Sequence, residues 1–182
     1  MLEMPHHLRL GEALGLLWEH VDLETGQIRV VHQLQRIDRR WQLVPPKSRQ
    51  SRRTIPLPRA SVTALRAHRE LQQLERLAGG AEWGGPFDLV FTSTVGTPLD
   101  ESNVRRQLRA ILRQAGLRDI RFHDLRHTCA SLLLVQGVHP RVVMETLGHS
   151  QISLTLDTYS HVLPVLQRDA AERMDALLRG SD

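Results

Sequence analysis

A single tyrosine, Tyr159, stands in a chain of 182 residues whose 24 basic residues comprise 23 arginines and one lysine, Lys47. Arginine cannot lose its proton at workable pH, so the lone lysine indicates a position where a proton is donated. His123 and Arg126, in a His-Asp-Leu-Arg-His run, and His149, in a Gly-His-Ser run, lie upstream of the tyrosine. A hydroxyl nucleophile, a proton donor and cationic hydrogen-bond donors together indicate phosphoryl transfer.

The charge of the chain favours a polyanionic partner. Its formal net charge is +4, and arginine is the main source of positive charge. Such a balance is typical of proteins that bind DNA or RNA, although a solvated arginine-rich surface gives the same composition.

Cysteine usage and hydropathy indicate a soluble protein of the cytoplasm. The lone Cys129 permits no internal disulfide, which fits a reducing compartment. The longest apolar run, residues 132–135, is far too short to span a bilayer, so we expect no membrane partner.

The elements that must position the chemical groups are mainly helical. Alternating runs at residues 28–30, 40–44 and 54–57 predict a three-stranded antiparallel sheet with Lys47 on the hairpin between its second and third strands. A further short strand is predicted at residues 89–91. We therefore expect one α+β domain over residues 1–182, mainly helical with this small three-stranded antiparallel sheet.

Helical spacing and cap signals predict seven helices along the same chain. One covers residues 8–18 and another residues 61–77, and a third follows a cap candidate at Ser102 and ends at Gly116. Ser150 is a cap candidate for a helix that carries Tyr159. The remaining predicted helices run from residue 122 to Gly137, from Pro140 to residue 148, and over residues 166–177.

The helix that starts near residue 122 presents two of the candidate groups together. His123 and Arg126 are three residues apart, so they share a face beside the apolar stripe. The residues expected to form that buried stripe are Leu125, Cys129, Leu132 and Leu133.

Five features have the order and spacing of a known catalytic constellation. They are the segment 8–16 with its Leu-Arg-Leu-Gly-Glu start, Lys47 on a hairpin, the pair His123 and Arg126, the Leu-Gly-His-Ser segment 147–150, and Tyr159. With these features, the chain from about residue 9 to residue 161 resembles the catalytic domain of tyrosine recombinases, the phage integrase family. The resemblance implies a mainly helical DNA breaking-rejoining fold.

The resemblance implies how a scissile phosphate is held. Arg9 and Arg126 would bind its non-bridging oxygens through charge-assisted hydrogen bonds, and His149 would add a further hydrogen bond. Glu12, three residues after Arg9, would orient that arginine.

The resemblance also implies the route of the protons. Tyr159 would be the nucleophile, His123 would assist removal of its proton, and Lys47 would protonate the departing 5′ oxygen. The product would be a 3′-phosphotyrosine that a 5′ hydroxyl can reverse, so the family chemistry needs no metal, ATP or other cofactor.

The partners implied are double-stranded DNA and further copies of the chain. The full-length protein is expected to form a homo-oligomer, a tetramer on paired sites. It is expected to act in the cytoplasm at the nucleoid and to come from a bacterium, a phage or another mobile element. Residues 163–179 resemble the family's C-terminal helix, which often packs on a neighbouring protomer. The arginines expected to face DNA phosphates are Arg49, Arg52, Arg53, Arg105, Arg106 and Arg109.

Other functions remain open from the sequence. Eight residues precede Arg9, so we expect the family's core-binding domain and leading helix to be absent, and a DNA-binding remnant without activity is one alternative. A type IB topoisomerase would use nearly the same residues. A zinc hydrolase using His123, His127 and His149 is a third, although Asp124 stands where the zinc-protease motif has glutamate.

Overall fold

The computed structural model describes residues 8–46, 48, 51–148 and 163–179. Helices predominate in these ranges, and the strands are short, as the α+β expectation required. Short 3₁₀ turns occupy Trp18–His20 and Gly80–Glu82. The elements in chain order are α1 (Leu10–Leu14), β1 (Val21–Asp22), β2 (Gln27–Val30), β3 (Gln33–Ile37), β4 (Arg40–Val44), β5 (Arg53–Pro56), α2 (Arg59–Gly79), α3 (Glu101–Gln114), α4 (Phe122–Val135), α5 (Pro140–Leu147) and α6 (Leu163–Arg179).

A three-stranded antiparallel sheet is present, with the order β1-β2-β5. Ile28 of β2 lies opposite Val21 of β1 on one side and Ile55 of β5 on the other. Ile28 and Ile55 are completely buried and pack with Leu65 of α2 in the main core. The sheet is therefore fixed by its apolar face against the long helix.

The predicted membership of that sheet is wrong for residues 40–44. This segment is β4, and it pairs with β3 in a separate two-stranded hairpin in which Leu34 lies opposite Leu43. Asp38 and Arg39 connect the two strands with positive φ angles of 48° and 63°, as a two-residue hairpin turn requires. Alternation of apolar and polar residues predicts a strand but not the strand with which it pairs. The side chains of β3 are mostly polar, so its sequence does not indicate a strand. The predicted hairpin position of Lys47 lies outside the described residues.

The first helix is shorter than the predicted span of residues 8–18. α1 ends at Leu14, and Gly15 follows it with its backbone against β3. A Cβ added at Gly15 would lie 2.5 Å from the Leu34 nitrogen and 2.7 Å from the Gln33 carbonyl carbon. The glycine therefore permits the contact that places α1 on the β3-β4 hairpin.

Two later predictions also need correction. Residues 89–91 are buried, but in place of a strand they make one isolated bridge, between Leu89 and Leu17. The cap of α3 is Asp100 and not Ser102, because the Asp100 carboxylate accepts a hydrogen bond from the Ser102 backbone nitrogen at 2.8 Å.

Helix α4 buries a different stripe from the one expected. Its buried residues are Arg126, Ala130 and Leu134, spaced four apart, whereas Leu132 is 59% exposed. The interior position of Arg126 displaces the purely apolar stripe, because its polar head reaches acceptors that a leucine cannot use.

Helix α5 begins and ends where the sequence indicated. Pro140 occupies its first turn, and Gly148 ends it in the left-handed region with φ 67°. Val143 and Leu147 are completely buried against Ala130 and Leu134 of α4. The packing of α4 on α5 thus directs the carboxyl end of α5 toward α1.

Helices α2 and α6 contain the predicted ranges 61–77 and 166–177 and extend beyond them by two or three residues at each end. Several of the described apolar side chains on both helices are exposed. Leu71, Leu74 and Leu77 of α2 are more than half exposed, unlike Leu65. None of the helices in the described ranges combines the length and apolar composition needed to cross a membrane.

Candidate active site

The carboxyl end of α5 gathers three arginines from three different elements. The carbonyl oxygen of Thr146 accepts a hydrogen bond from Arg53, that of Leu147 from Arg126, and that of Gly148 from Arg9. We call these three acceptors the α5 carbonyl cluster. Helix C-termini carry unsatisfied carbonyls and partial negative charge, so guanidinium groups are favourable partners there.

Arg9 reaches the cluster from the start of α1 while keeping part of its side chain in solvent. Its Nη2 donates to the Gly148 oxygen at 3.5 Å, and its Nη1 donates to Oε1 of Glu12 at 2.7 Å. The Arg9 side chain is 41% exposed, whereas that of Glu12 is 1% exposed. Arg9 is therefore held by Glu12 and the Gly148 carbonyl, and part of its side chain remains accessible to solvent.

Glu12 is the shared acceptor of two arginines. Its Oε2 accepts from the Arg9 backbone nitrogen and from Nη2 of Arg53, both at 3.0 Å. Burial opposes ionisation of this carboxyl most strongly, yet the hydrogen bond and charge of Arg53, with those of Arg9, hold the pKa of Glu12 below its usual range. Glu12 is thus a buried carboxylate whose charge is stabilised from two sides.

Arg53 lies inside the protein, which corrects the expectation that it faces a DNA phosphate. Its side chain is 7% exposed, and Nη1 donates to the Ser51 carbonyl at 2.9 Å. Its Nε donates to the Thr146 carbonyl at 2.8 Å. The sequence held a signal for this, because Arg53 stands two residues before buried Ile55 and so shares its face of β5.

Arg126 is buried at 2% exposure in the middle of α4. Its Nη2 donates to the Leu147 carbonyl in the α5 carbonyl cluster. A charged side chain this deeply buried is rare without a hydrogen-bond partner, and the bond to the Leu147 carbonyl compensates for the burial of Arg126.

His123 lies one turn earlier on α4, at the surface. Its ring contacts that of His127 edge to face, with centroids 4.5 Å apart. Partial burial first, and then the electrostatic effects of His127, Arg126 and Arg9, lower the pKa of His123. A lowered pKa favours the neutral imidazole, the form that accepts a proton.

A basic cleft of about 400 Å³ opens between α1, α3 and α4. It contains Arg9 and His123 together, and Arg105 and Arg109 project into it from α3. Arg121, which was not among the predicted site residues, also lines it; its position directly before α4 is the sequence feature that could have indicated it. No carboxylate is among the residues lining this cleft in the described part of the chain.

The arginines of α3 differ in their local partners. Arg105 pairs with Glu101 at 2.7 Å on the exposed face, and Arg106 donates to the Asn103 side chain. Arg109 is exposed and meets no hydrogen-bond acceptor within the described ranges. Arg52, beside inward-facing Arg53, is also exposed.

Four predicted site residues lie outside the described residues. They are Lys47, Arg49, His149 and Tyr159. The same holds for Ser150, the cap candidate. Between residues 8 and 148 and from 163 to 179, where described, no group of three or more histidine, cysteine or acidic side chains forms a metal site.

The chain is similar in sequence to known tyrosine recombinases and integrases. Over 181 residues the chain is 35% identical to the tyrosine recombinase XerC-like protein of Caldanaerobacter subterraneus subsp. tengcongensis, covering 93% of this chain and 46% of that protein. It is 39% identical over 139 residues to an integrase of Saccharopolyspora erythraea, covering 76% of this chain and 31% of the integrase. The chain thus spans less than half the length of these relatives.

Solved structures share the fold. The Tn1549 transposon integrase, in complex with transposon right end DNA, superposes with a TM-score of 0.78 at 22% identity, over 94% of this chain and 56% of that one. XerA recombinase superposes with a TM-score of 0.70 at 23% identity, over 92% of this chain and 54% of its own. Residues 1–164 match the sequence model of the phage integrase family. The chain therefore belongs to the phage integrase family.

Proposed function

We propose that residues 1–182 are the catalytic domain of a site-specific DNA recombinase that cleaves and rejoins strands through a 3′-phosphotyrosine, without metal or ATP. The observation that carries the proposal is the convergence of Arg9 and Arg126 on the α5 carbonyl cluster, directly before His149. Family membership supports the same activity and does not favour an inactive remnant or a zinc hydrolase.

The proposed work of the arginines is electrostatic. A phosphodiester gains negative charge as a nucleophile adds, so preorganised cations lower the barrier. Arg126 is fixed in the interior, and Arg9 keeps part of its guanidinium open to the basic cleft. His149, next to Gly148, would supply a further donor to the same phosphate.

The proposed reaction exchanges one phosphoester for another. The Tyr159 oxygen forms a bond to phosphorus while the bond from phosphorus to the 5′ oxygen breaks. The phenolic proton passes to His123, and Lys47 gives a proton to the departing 5′ oxygen. The reverse reaction with a 5′ hydroxyl of another strand completes recombination, and it needs no external energy source.

The proposed DNA contacts follow the exposed arginines. Arg105 and Arg109 would hold the backbone along the basic cleft, and the exposed Arg106 and Arg52 would extend the contact. Arg49, outside the described residues, would add a further phosphate contact. The full-length protein would act in the cytoplasm, at the nucleoid, as a tetramer on two paired duplex sites. The DNA complex recorded for Tn1549 integrase supports a DNA partner.

Covalent trapping tests the proposal. Wild-type and Tyr159→Phe proteins are incubated with EDTA on a labelled pool of nicked duplexes from which the cleaved end diffuses away. An adduct that survives SDS and forms with wild type alone is the expected result. Absence of an adduct, also when the family's core-binding domain is supplied on a second chain, would contradict the proposal, as would cleavage that EDTA abolishes.

A further inference from the structure

Arg53 is linked to Arg9 indirectly, through the Glu12 carboxylate that both arginines bind. Nη1 and Nη2 of Arg53 lie 3.3 and 3.0 Å from the two Glu12 oxygens. Nη1 of Arg9 binds the same Oε1 at 2.7 Å. Two cations and one anion therefore form a single connected group, which we call the Arg9–Glu12–Arg53 triad.

The charges of the triad do not cancel. Glu12 alone beside Arg9 would make a neutral pair, and a neutral pair attracts a phosphodiester weakly. With Arg53 included, the group carries one net positive charge. Arg53 is buried at 7% exposure, whereas Arg9 is 41% exposed, so that charge is presented to the cleft through Arg9.

Arg53 also fixes the position of the triad. Its Nε binds the Thr146 carbonyl, and Arg9 binds the Gly148 carbonyl at the same helix end. A guanidinium supplies several donors in one rigid plane, so a single side chain can link α1, β5 and α5. An ammonium group on a flexible stem does not reproduce that geometry.

We propose that Arg53 is a positioning residue that neutralises Glu12, leaves the charge of Arg9 available for a phosphodiester, and anchors α5 beside it. The inference rests on the proposed function in taking a DNA phosphate as the ligand of Arg9. It predicts that loss of Arg53 weakens anion binding at Arg9, and that simultaneous loss of the Glu12 charge restores it.

A charge cycle in four proteins tests this inference without requiring DNA cleavage. Wild type, Arg53→Gln, Glu12→Gln and the double variant are titrated with dimethyl phosphate, and the side-chain ¹⁵N signals of Arg9 are followed by NMR. We expect Arg53→Gln to weaken binding about fivefold or more, as loss of one nearby unit charge implies. The double variant should return to within about twofold of wild type.

The control removes the same charge elsewhere. Arg66→Gln acts on α2, where the guanidinium binds Glu24 and the Leu23 carbonyl, and it should leave dimethyl phosphate binding unchanged. Thermal unfolding of every variant identifies the temperature range in which all are folded. Arg53→Lys, which keeps the charge but not the planar geometry, should bind dimethyl phosphate more tightly than Arg53→Gln.

The outcomes separate the two proposals. If Arg53→Gln binds dimethyl phosphate as wild type does, or if the double variant binds no better than Arg53→Gln, Arg53 is merely structural and the inference fails. Failure of wild type to bind dimethyl phosphate at Arg9 would also overturn it. Intact phosphate binding without any covalent DNA adduct would contradict the proposed function instead.

Discussion

Arg53 and Glu12 form a two-point ion pair with nitrogen–oxygen distances of 3.3 and 3.0 Å, and neither side chain is appreciably exposed. The pair joins the start of β5 to the first turn of α1. Loss of one partner of such a pair leaves an uncompensated buried charge, at a cost of about 3–5 kcal/mol. The orientation of Arg9 therefore depends on a residue in another element of the fold.

Acid should weaken the protein through Glu12. Its pKa lies below the ordinary 4.5, because Arg53 and Arg9 outweigh the opposing effect of burial. The stabilisation is complete above pH 4.5 and is lost as pH falls through the lowered pKa of the folded state. Urea unfolding from neutral pH down to about pH 3.5 should show a steeper loss in wild type than in Glu12→Gln.

The matched control for this acid effect is Glu24→Gln. The Glu24 side chain is 86% exposed and pairs with Arg66 at the surface. The unfolding curves of Glu24→Gln should follow those of wild type over the same pH range. Equal acid sensitivity in wild type and Glu12→Gln would show that Glu12 does not supply the effect.

Gly15→Ala should destabilise the fold, whereas Gly11→Ala should not. A Cβ at Gly15 meets the β3 backbone at 2.5 Å, but a Cβ at Gly11 has its nearest neighbours at 3.5 Å. We expect Gly15→Ala to cost about 1–3 kcal/mol through overpacking. Denaturant unfolding of both variants checks the difference, and equal stability would contradict the close approach of α1 to β3.

Arg105→Gln and Arg109→Gln should weaken duplex binding equally across DNA sequences. Phosphate contacts carry no base information, so each loss should lower the slope of log affinity against log salt by about 1. Fluorescence anisotropy over a salt series on unrelated duplexes measures both effects. A loss confined to one sequence would indicate base contact, and Arg66→Gln, on α2, is the charge-matched control.

Cleavage should persist into mild acid. The pKa of His123 is lowered from 6.5 by burial and by the nearby positive charges, so its neutral form survives below that pH. Adduct formation at subsaturating DNA, which reports the free protein, should fall only below pH 6.5. His123→Gln should be slow and lack this acid limb; an unchanged limb would assign it to another group.

Local signals explain why parts of the fold could be predicted. Pro140 and Gly148 bound α5 because proline fits a first helical turn and glycine accepts positive φ at the end. β3 could not be found in this way, because Gln33, Gln35 and Arg36 show no apolar alternation. Its existence depends on pairing with β4, a tertiary contact that local periodicity does not encode.

The site shows the same division. His123 and Arg126 could be placed on one helix from their spacing, but the depth of Arg126 could not, since its partner is a carbonyl on α5. Arg52 and Arg53 are adjacent and identical in type, yet one is exposed and the other buried. The alternation of strand side chains distinguishes them once Ile55 is recognised as a core residue.

The α5 carbonyl cluster also affects the order of folding. Its arginines lie 139, 93 and 21 residues before their acceptors, so two of the three contacts close long loops. The intervening chain loses conformational entropy before contacts of such large sequence separation become favourable, so these contacts form late. We therefore expect the sheet and α2 to be assembled before Arg9 reaches Gly148, and the arrangement of arginines around the α5 carbonyl cluster to be among the last features acquired during folding.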